Sequence, residues 1–158
     1  MYSDTKKLVL FGAGKIGRSF IGQLFSRSGY EVVFIDIDPE IIAALNRKHS
    51  YEITICDVNP EVIVVDNVRG VLADDPEKVT DEIATADILA VSIGKNGLKH
   101  IVSSLSRGLL KREAVYPGRM LDIILAENMR NADVFLRDAL SDVLPVSYPL
   151  DKRVGLIE

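Results

Sequence analysis

The segment Gly12-Ala13-Gly14-Lys15-Ile16-Gly17 constrains the fold more than any other part of the chain. It follows an apolar run, Lys7 to Phe11, that reads as a β-strand. It opens a stretch of helical periodicity from about Lys15 to Ser28, in which Ile16, Phe20 and Leu24, with Ile21 and Phe25 beside them, are spaced to share one face. A strand that turns through glycines straight into a helix leaves the unpaired N–H groups of the helix N-terminus facing outward, ready for an anion. Gly12 permits the tight turn, Gly14 lets the backbone approach a pyrophosphate, and Gly17 allows the helix to pack closely on the strand. Gly12, Ala13, Gly14, Lys15, Ile16 and Gly17 are therefore candidate cofactor-binding residues; the alternative is a glycine turn without a ligand.

The rest of the chain repeats the strand and helix alternation. Glu31 to Asp36 is an unbroken apolar run closed by an acid, as expected of a strand covered on both faces. Asp38-Pro39-Glu40 then starts a helix that runs to about Lys48, with Asp38 as cap and Pro39 at the first helical position. Two β-like runs, Tyr51 to Cys56 and Val62 to Val68, flank Asp57-Val58-Asn59-Pro60 and predict an inserted hairpin. Further on, Pro76 to Ala84 reads as a helix, Asp87 to Ile93 as a strand and Gly97 to Leu110 as a helix. Met120 to Ala126 follows as a strand and Asn128 to Val143 as a helix. The fold class predicted is α/β: a Rossmann-type doubly wound, mostly parallel sheet of about five strands with an inserted β-hairpin, filling residues 1–158 as one nucleotide-binding domain. The terminal run Val154 to Glu158 starts a new apolar segment without a cap or polar tail, which suggests that the full-length protein continues.

Asp36 lies 19 residues after Gly17 at the end of the second strand, where a carboxylate can accept hydrogen bonds from both hydroxyls of an adenosine ribose. The same charge repels a 2′-phosphate, so the expected cofactor is NAD. Ile37 is read as a wall of the adenine pocket. Gly94, in the turn Gly94-Lys95-Asn96-Gly97, lies at the carboxyl edge of the sheet and is a further candidate contact. Arg18 is open to two readings, a contact to an acid or a solvated cation. Glu127 and Asn128 fall at the end of the fifth strand, where Asn128 either donates to a substrate oxygen or caps the following helix. Cys56, the single cysteine, is read as a core residue, and His49 and His100 as helix-surface or structural groups.

Composition narrows the function classes. Lysine plus arginine number 19 against 23 acids, a net charge of −4, which argues against a nucleic-acid binder. One cysteine and two separated histidines do not form a metal set. No apolar stretch approaches the roughly 20 residues needed to span a bilayer, and Met1 to Lys7 lacks a signal-peptide core, so a cytoplasmic location is expected.

The segment Phe11 to Gly22, FGAGKIGRSFIG, closely resembles the polyol-specific long-chain dehydrogenase family, also called the mannitol dehydrogenase family. Ala44-Leu45-Asn46, His49-Ser50-Tyr51, Gly108-Leu109, Lys111-Arg112 and Glu127-Asn128-Met129 match in the same order, and the branch acting on phosphorylated sugars is favoured. Ser19 stands where the family usually has glycine, and Lys15 where asparagine is common. The resemblance implies NAD-dependent hydride transfer between mannitol 1-phosphate and fructose 6-phosphate, with Asn128 holding the substrate oxygen. It also implies a second, mostly helical domain that supplies a lysine general base with asparagine and histidine partners, so the chain by itself is expected to be inactive. Two alternatives stay open: a stand-alone NAD-sensing regulatory domain, and the cofactor domain of a related polyol dehydrogenase or hexuronate reductase. A methyltransferase is weaker, because its nucleotide needs no pyrophosphate cradle.

Overall fold

A computed structural model describes residues 5–94 and 96–158; residues 1–4 and Lys95, which the sequence places in a turn at the sheet edge, lie outside the described residues. In chain order, β1 (Lys7–Phe11) leads into a helix whose first part, Gly17–Gly22, is wound as a π-type turn before α1 (Gln23–Arg27). Then come β2 (Glu31–Asp36), α2 (Pro39–Lys48), β3 (Ser50–Ile55), β4 (Glu61–Asp66), β5 (Val68–Leu72) and α3 (Pro76–Thr85). The chain continues through β6 (Ile88–Val91), α4 (Leu98–Val115), β7 (Leu121–Leu125), α5 (Ala132–Val143), α6 (Leu150–Arg153) and β8 (Val154–Ile157).

Six strands form one sheet in the order β5-β2-β1-β6-β7-β8, and every neighbouring pair in it is parallel. Alternating residues of the central strands feed two cores. Val9, Phe11, Val33 and Ile35 meet α3, α4 and α5 on one face, whereas Leu8, Leu10, Val32 and Phe34 meet Ile21, Ile42 and Leu45 on the other. Burial on both faces explains why these strands read as unbroken apolar runs. Strand order reverses between β1 and β6, so the carboxyl ends of those two strands flank the switch point where ligands bind in open α/β sheets.

Local signals set several boundaries as expected. Asp38 accepts from the Glu40 and Ile41 amides at 2.9 and 3.2 Å and caps α2. β3 and β4 pair as the antiparallel hairpin.

Other expectations need correction. The run Val62 to Val68 is two strands: Asn67, at φ 53°, breaks it, so β4 stays in the hairpin while β5 joins the main sheet beside β2. Asn is among the few residues that tolerate this left-handed backbone, and its side chain is held by the Tyr30 carbonyl at 3.2 Å. The terminal apolar run is β8, a sixth strand beside β7. The helix expected from Asn128 starts only at Ala132, after a left-handed Asn131, so Asn128 does not cap it. Cys56 is exposed rather than core, because β3 pairing ends at Ile55 and the cysteine falls in the hairpin loop.

The face of the first helix also differs. Ile21 is buried, but Ile16, Phe20 and Leu24 are 58%, 60% and 48% exposed. Ile16 precedes the π-type turn, so this face already points to solvent where the helix begins, and the turn carries Phe20 on along the same outward side while Ile21 is buried. Within it the Arg18 carbonyl accepts the Tyr51 hydroxyl at 2.7 Å. Burial of that phenol pushes its pKa up.

Two polar devices tie the layers together. Arg112, 2% exposed, donates to the carbonyls of Ala84 and Ala86 at 2.8 Å each, of Met120 at 2.7 Å and of Arg119 at 3.1 Å, joining α4 to the end of α3 and the start of β7. At the amino end of the sheet, Arg69 bridges Glu31 and Glu82 at 2.8 and 2.5 Å, and Lys7 reaches Glu82 at 2.7 Å.

Candidate functional site

The glycine loop leaves β1 at the switch point and is fixed from both sides. The Gly12 amide donates to Ile35 of β2 at 2.8 Å, and the Ser92 amide, just past β6, donates to Phe11 at 2.8 Å. Gly12 has φ 102°, and a Cβ there would lie 2.1 Å from the Ser92 carbonyl oxygen. A Cβ on Gly17 would lie 2.2 Å from the Gly12 carbonyl oxygen. Both positions are glycine because backbone already fills the space. Gly14 differs, since its Cβ position has nothing within 4 Å among the described residues and opens into the cleft. This is the cradle a phosphate group requires: backbone exposed to the ligand with no side chain in the way.

Asp36 braces that loop. Its Oδ2 accepts from the Ala13 amide at 2.7 Å and its Oδ1 from the Asp38 amide at 2.9 Å, so one carboxylate joins the glycine turn to the α2 cap. Each carboxylate oxygen keeps a second lone pair, and Asp36 still borders the cleft.

The cleft has a volume of about 720 Å³ and runs along the carboxyl edge of β1, β2, β5 and β6. Gly12, Gly14, Asp36 and Ile37 line it. The Ile37 side chain is 85% exposed, a wall waiting for a neighbour. Ala73 and Asp74 close the end beside β5, and Ser92 and Ile93 the end beside β6. The wall opposite β2 is one helical face: Gly97, His100, Ile101 and Ser104 follow the i, i+3, i+4, i+7 spacing. That spacing was visible in the sequence, but an isolated histidine and serine gave no reason to weigh it.

The remaining predicted residues lie elsewhere. Ala13 is buried behind the loop, while Lys15 and Ile16 sit on the exposed side of the following turn; neither they nor Gly17 line the cleft. Gly94, at φ 79°, and Glu127 form a support behind it, the Glu127 carboxylate accepting from the Ile93 and Gly94 amides at 2.6 and 3.1 Å. Asn128 is exposed in the loop after β7. Arg18 lines a separate groove beside α2 and β3, and its Nε is buried without a hydrogen-bond partner among the described residues. Among the described residues, no group of three or more histidine, cysteine or acidic side chains could hold a metal ion, and no helix is long and apolar enough to cross a membrane.

A parallel sheet that reverses at a glycine-lined turn, with an acid at the end of the neighbouring strand, defines a Rossmann-type nucleotide-binding domain. Solved structures share that architecture: octopine dehydrogenase crystallised with NADH and L-arginine superposes over 96% of this chain and 34% of its own, with TM-score 0.65 and 17% identity. Prephenate dehydrogenase from A. aeolicus, in complex with hydroxyphenyl propionate and NAD+, covers 89% of this chain and 40% of its own, with TM-score 0.58 and 18% identity. The family model for the mannitol dehydrogenase Rossmann domain matches residues 6–154, and the chain belongs to that family. Among its relatives, mannitol-1-phosphate 5-dehydrogenase of Lactococcus lactis subsp. lactis is 45% identical over 146 residues, 92% of this chain. The Brevibacillus brevis protein of the same name is 35% identical over 139 residues, 88% of this chain. The chain spans only 38% and 36% of the length of these two relatives.

Proposed function

We propose that the cleft binds NAD and that the chain is the cofactor-binding part of a mannitol-1-phosphate 5-dehydrogenase, interconverting mannitol 1-phosphate and fructose 6-phosphate. The observation that carries this reading is the open Gly14 position facing the cleft, bracketed by Asp36 on one side and Ser92 on the other. In it, the amides of the glycine turn hold the pyrophosphate at the start of the helix, and the free lone pairs of Asp36 accept from the ribose hydroxyls. When bound, NAD supplies the hydride acceptor. Asn128, exposed past the carboxyl end of β7, donates to the substrate oxygen and stabilises the charge that develops there. The general base belongs to a part of the enzyme outside the matched region, so the 158 residues bind dinucleotide with little turnover. Their further partners are the sugar phosphate and that remaining catalytic domain.

Calorimetric titration with NAD and, separately, NADP tests the reading. NAD binds more tightly than NADP, and Asp36→Ala weakens NAD binding by about tenfold, roughly 1.4 kcal/mol. Absence of heat with either dinucleotide refutes the assignment.

A further inference from the structure

The end of the cleft beside β5 has a chemistry of its own. Ile37, Ala73 and Ile101 give it apolar walls, and Asp74, His100 and Ser104 give it polar groups. Asp74 follows directly from the register of the sheet: Asp36 pairs with Leu72, and two residues further the chain turns into α3. Its neighbours are engaged. Asp75 caps α3 through the Lys78 amide at 3.1 Å and pairs with the Lys78 ammonium at 2.8 Å. The Ala73 amide donates to the Asp36 carbonyl at 2.9 Å. The Asp74 side chain has no hydrogen-bond or ion-pair partner among the described residues, and it stands on the rim between this cleft and the neighbouring groove lined by α2, β5 and α3. The other carboxylate there, Asp36, already serves two backbone amides.

We propose that Asp74 is the residue that reads the purine edge of the bound dinucleotide, accepting a hydrogen bond from the exocyclic 6-amino group while Ile37, Ala73 and Ile101 flank the ring. An ionised carboxylate is an acceptor only. It complements a 6-aminopurine, whose amino group donates at position 6, and opposes the carbonyl that a 6-oxopurine places there, whose nearest donor is the N1–H one ring position away. The site therefore selects adenine dinucleotides over hypoxanthine ones, a discrimination that depends on a group being left facing the wrong partner. This inference rests on the dinucleotide-binding reading above and adds the base specificity to it.

The test compares calorimetric titrations of the chain with NAD and with nicotinamide hypoxanthine dinucleotide, which differ in the group at position 6 of the purine and in the N1 proton that accompanies the carbonyl. The unaltered chain binds NAD about tenfold more tightly. Asp74→Asn, whose amide can donate as well as accept, brings the two affinities to within about threefold. Asp74 is exposed, so thermal unfolding of this variant matches that of the unaltered chain. Equal affinities for the two dinucleotides in the unaltered chain, or an unchanged ratio in Asp74→Asn, overturn the assignment of Asp74 and leave the dinucleotide site standing. Failure of both dinucleotides to bind overturns the site and this inference together.

Discussion

Two glycines two residues apart in the same loop are expected to fail in opposite ways when each becomes alanine. In Gly12→Ala the new methyl meets the Ser92 carbonyl oxygen at 2.1 Å on a backbone at φ 102°. The positive φ costs an L-residue about 1–2 kcal/mol. Relieving the overlap forces backbone shifts that cost about 1–3 kcal/mol more. The neighbour cannot turn aside, because the Ser92 amide is itself tied to Phe11 at 2.8 Å. A loss of about 3 kcal/mol lowers the melting temperature of a domain this size by roughly 10 °C. In Gly14→Ala the methyl meets nothing within 4 Å, and the backbone is outside the positive-φ region. Stability is then held or raised by about 0.4–1 kcal/mol, through reduced freedom of the unfolded chain. Because that methyl projects into the cleft, NAD affinity falls at least tenfold. Differential scanning calorimetry and NAD titration on both variants separate the two effects. Gly12→Ala melting with the unaltered chain, or Gly14→Ala binding NAD normally, refutes the division of labour between the two positions.

Other variants test other parts of the fold. Arg112→Leu leaves four carbonyls without their donor and lowers stability by about 3–5 kcal/mol, read as a fall of about 2 M in the urea midpoint; a midpoint within 0.5 M or so of the original contradicts the account. Burial alone would raise the Glu82 pKa, but hydrogen bonds from Arg69 and Lys7 outweigh it and hold the carboxyl below its ordinary value. Its stabilisation is thus present above about pH 4.5 and lost as the pH falls through the lowered folded value, so Glu82→Gln flattens the acid limb of stability against pH; identical limbs in both proteins argue against it. Phe20→Gln changes stability by less than about 0.5 kcal/mol whereas Ile21→Ala costs about 2–4 kcal/mol, and the reverse ranking in urea unfolding would restore the uniform helical register.

The sequence made the glycine turn, the two acids Asp36 and Asp38 and the hairpin legible because each rests on local chemistry: positive φ, capping, or the turn residues between two runs. Where it misled, a tertiary contact had decided the outcome. In Val62 to Val68 the only mark of a break is Asp66-Asn67, a weaker turn signal than glycine or proline inside a run of β-branched residues. Which apolar stripe of the first helix turns inward is likewise not encoded in the residue spacing, and neither is its π-type turn, which Tyr51 reaches from 33 positions away. Glu127 was expected at the cofactor because it ends a strand at the correct edge. The packed loop adds what that position alone does not tell, that one oxygen of its carboxylate accepts from the Ile93 and Gly94 amides. Asp74, His100 and Ser104 were invisible as a group because two separated elements, the turn after β5 and the helix α4, bring them to one rim.

The double attachment of Asp36 matters to anyone wishing to change which nucleotide such a domain accepts. A common first move is to replace the ribose-facing acid with a small or basic residue that tolerates a 2′-phosphate. Here that exchange also strips the acceptor from the Ala13 amide and from the Asp38 amide, one in the phosphate loop and one at a helix cap. On the proposed reading, nucleotide preference and loop rigidity are encoded in a single side chain and cannot be altered independently. A variant intended for the phosphorylated cofactor needs a replacement acceptor behind Ala13 before it needs a new cation in front.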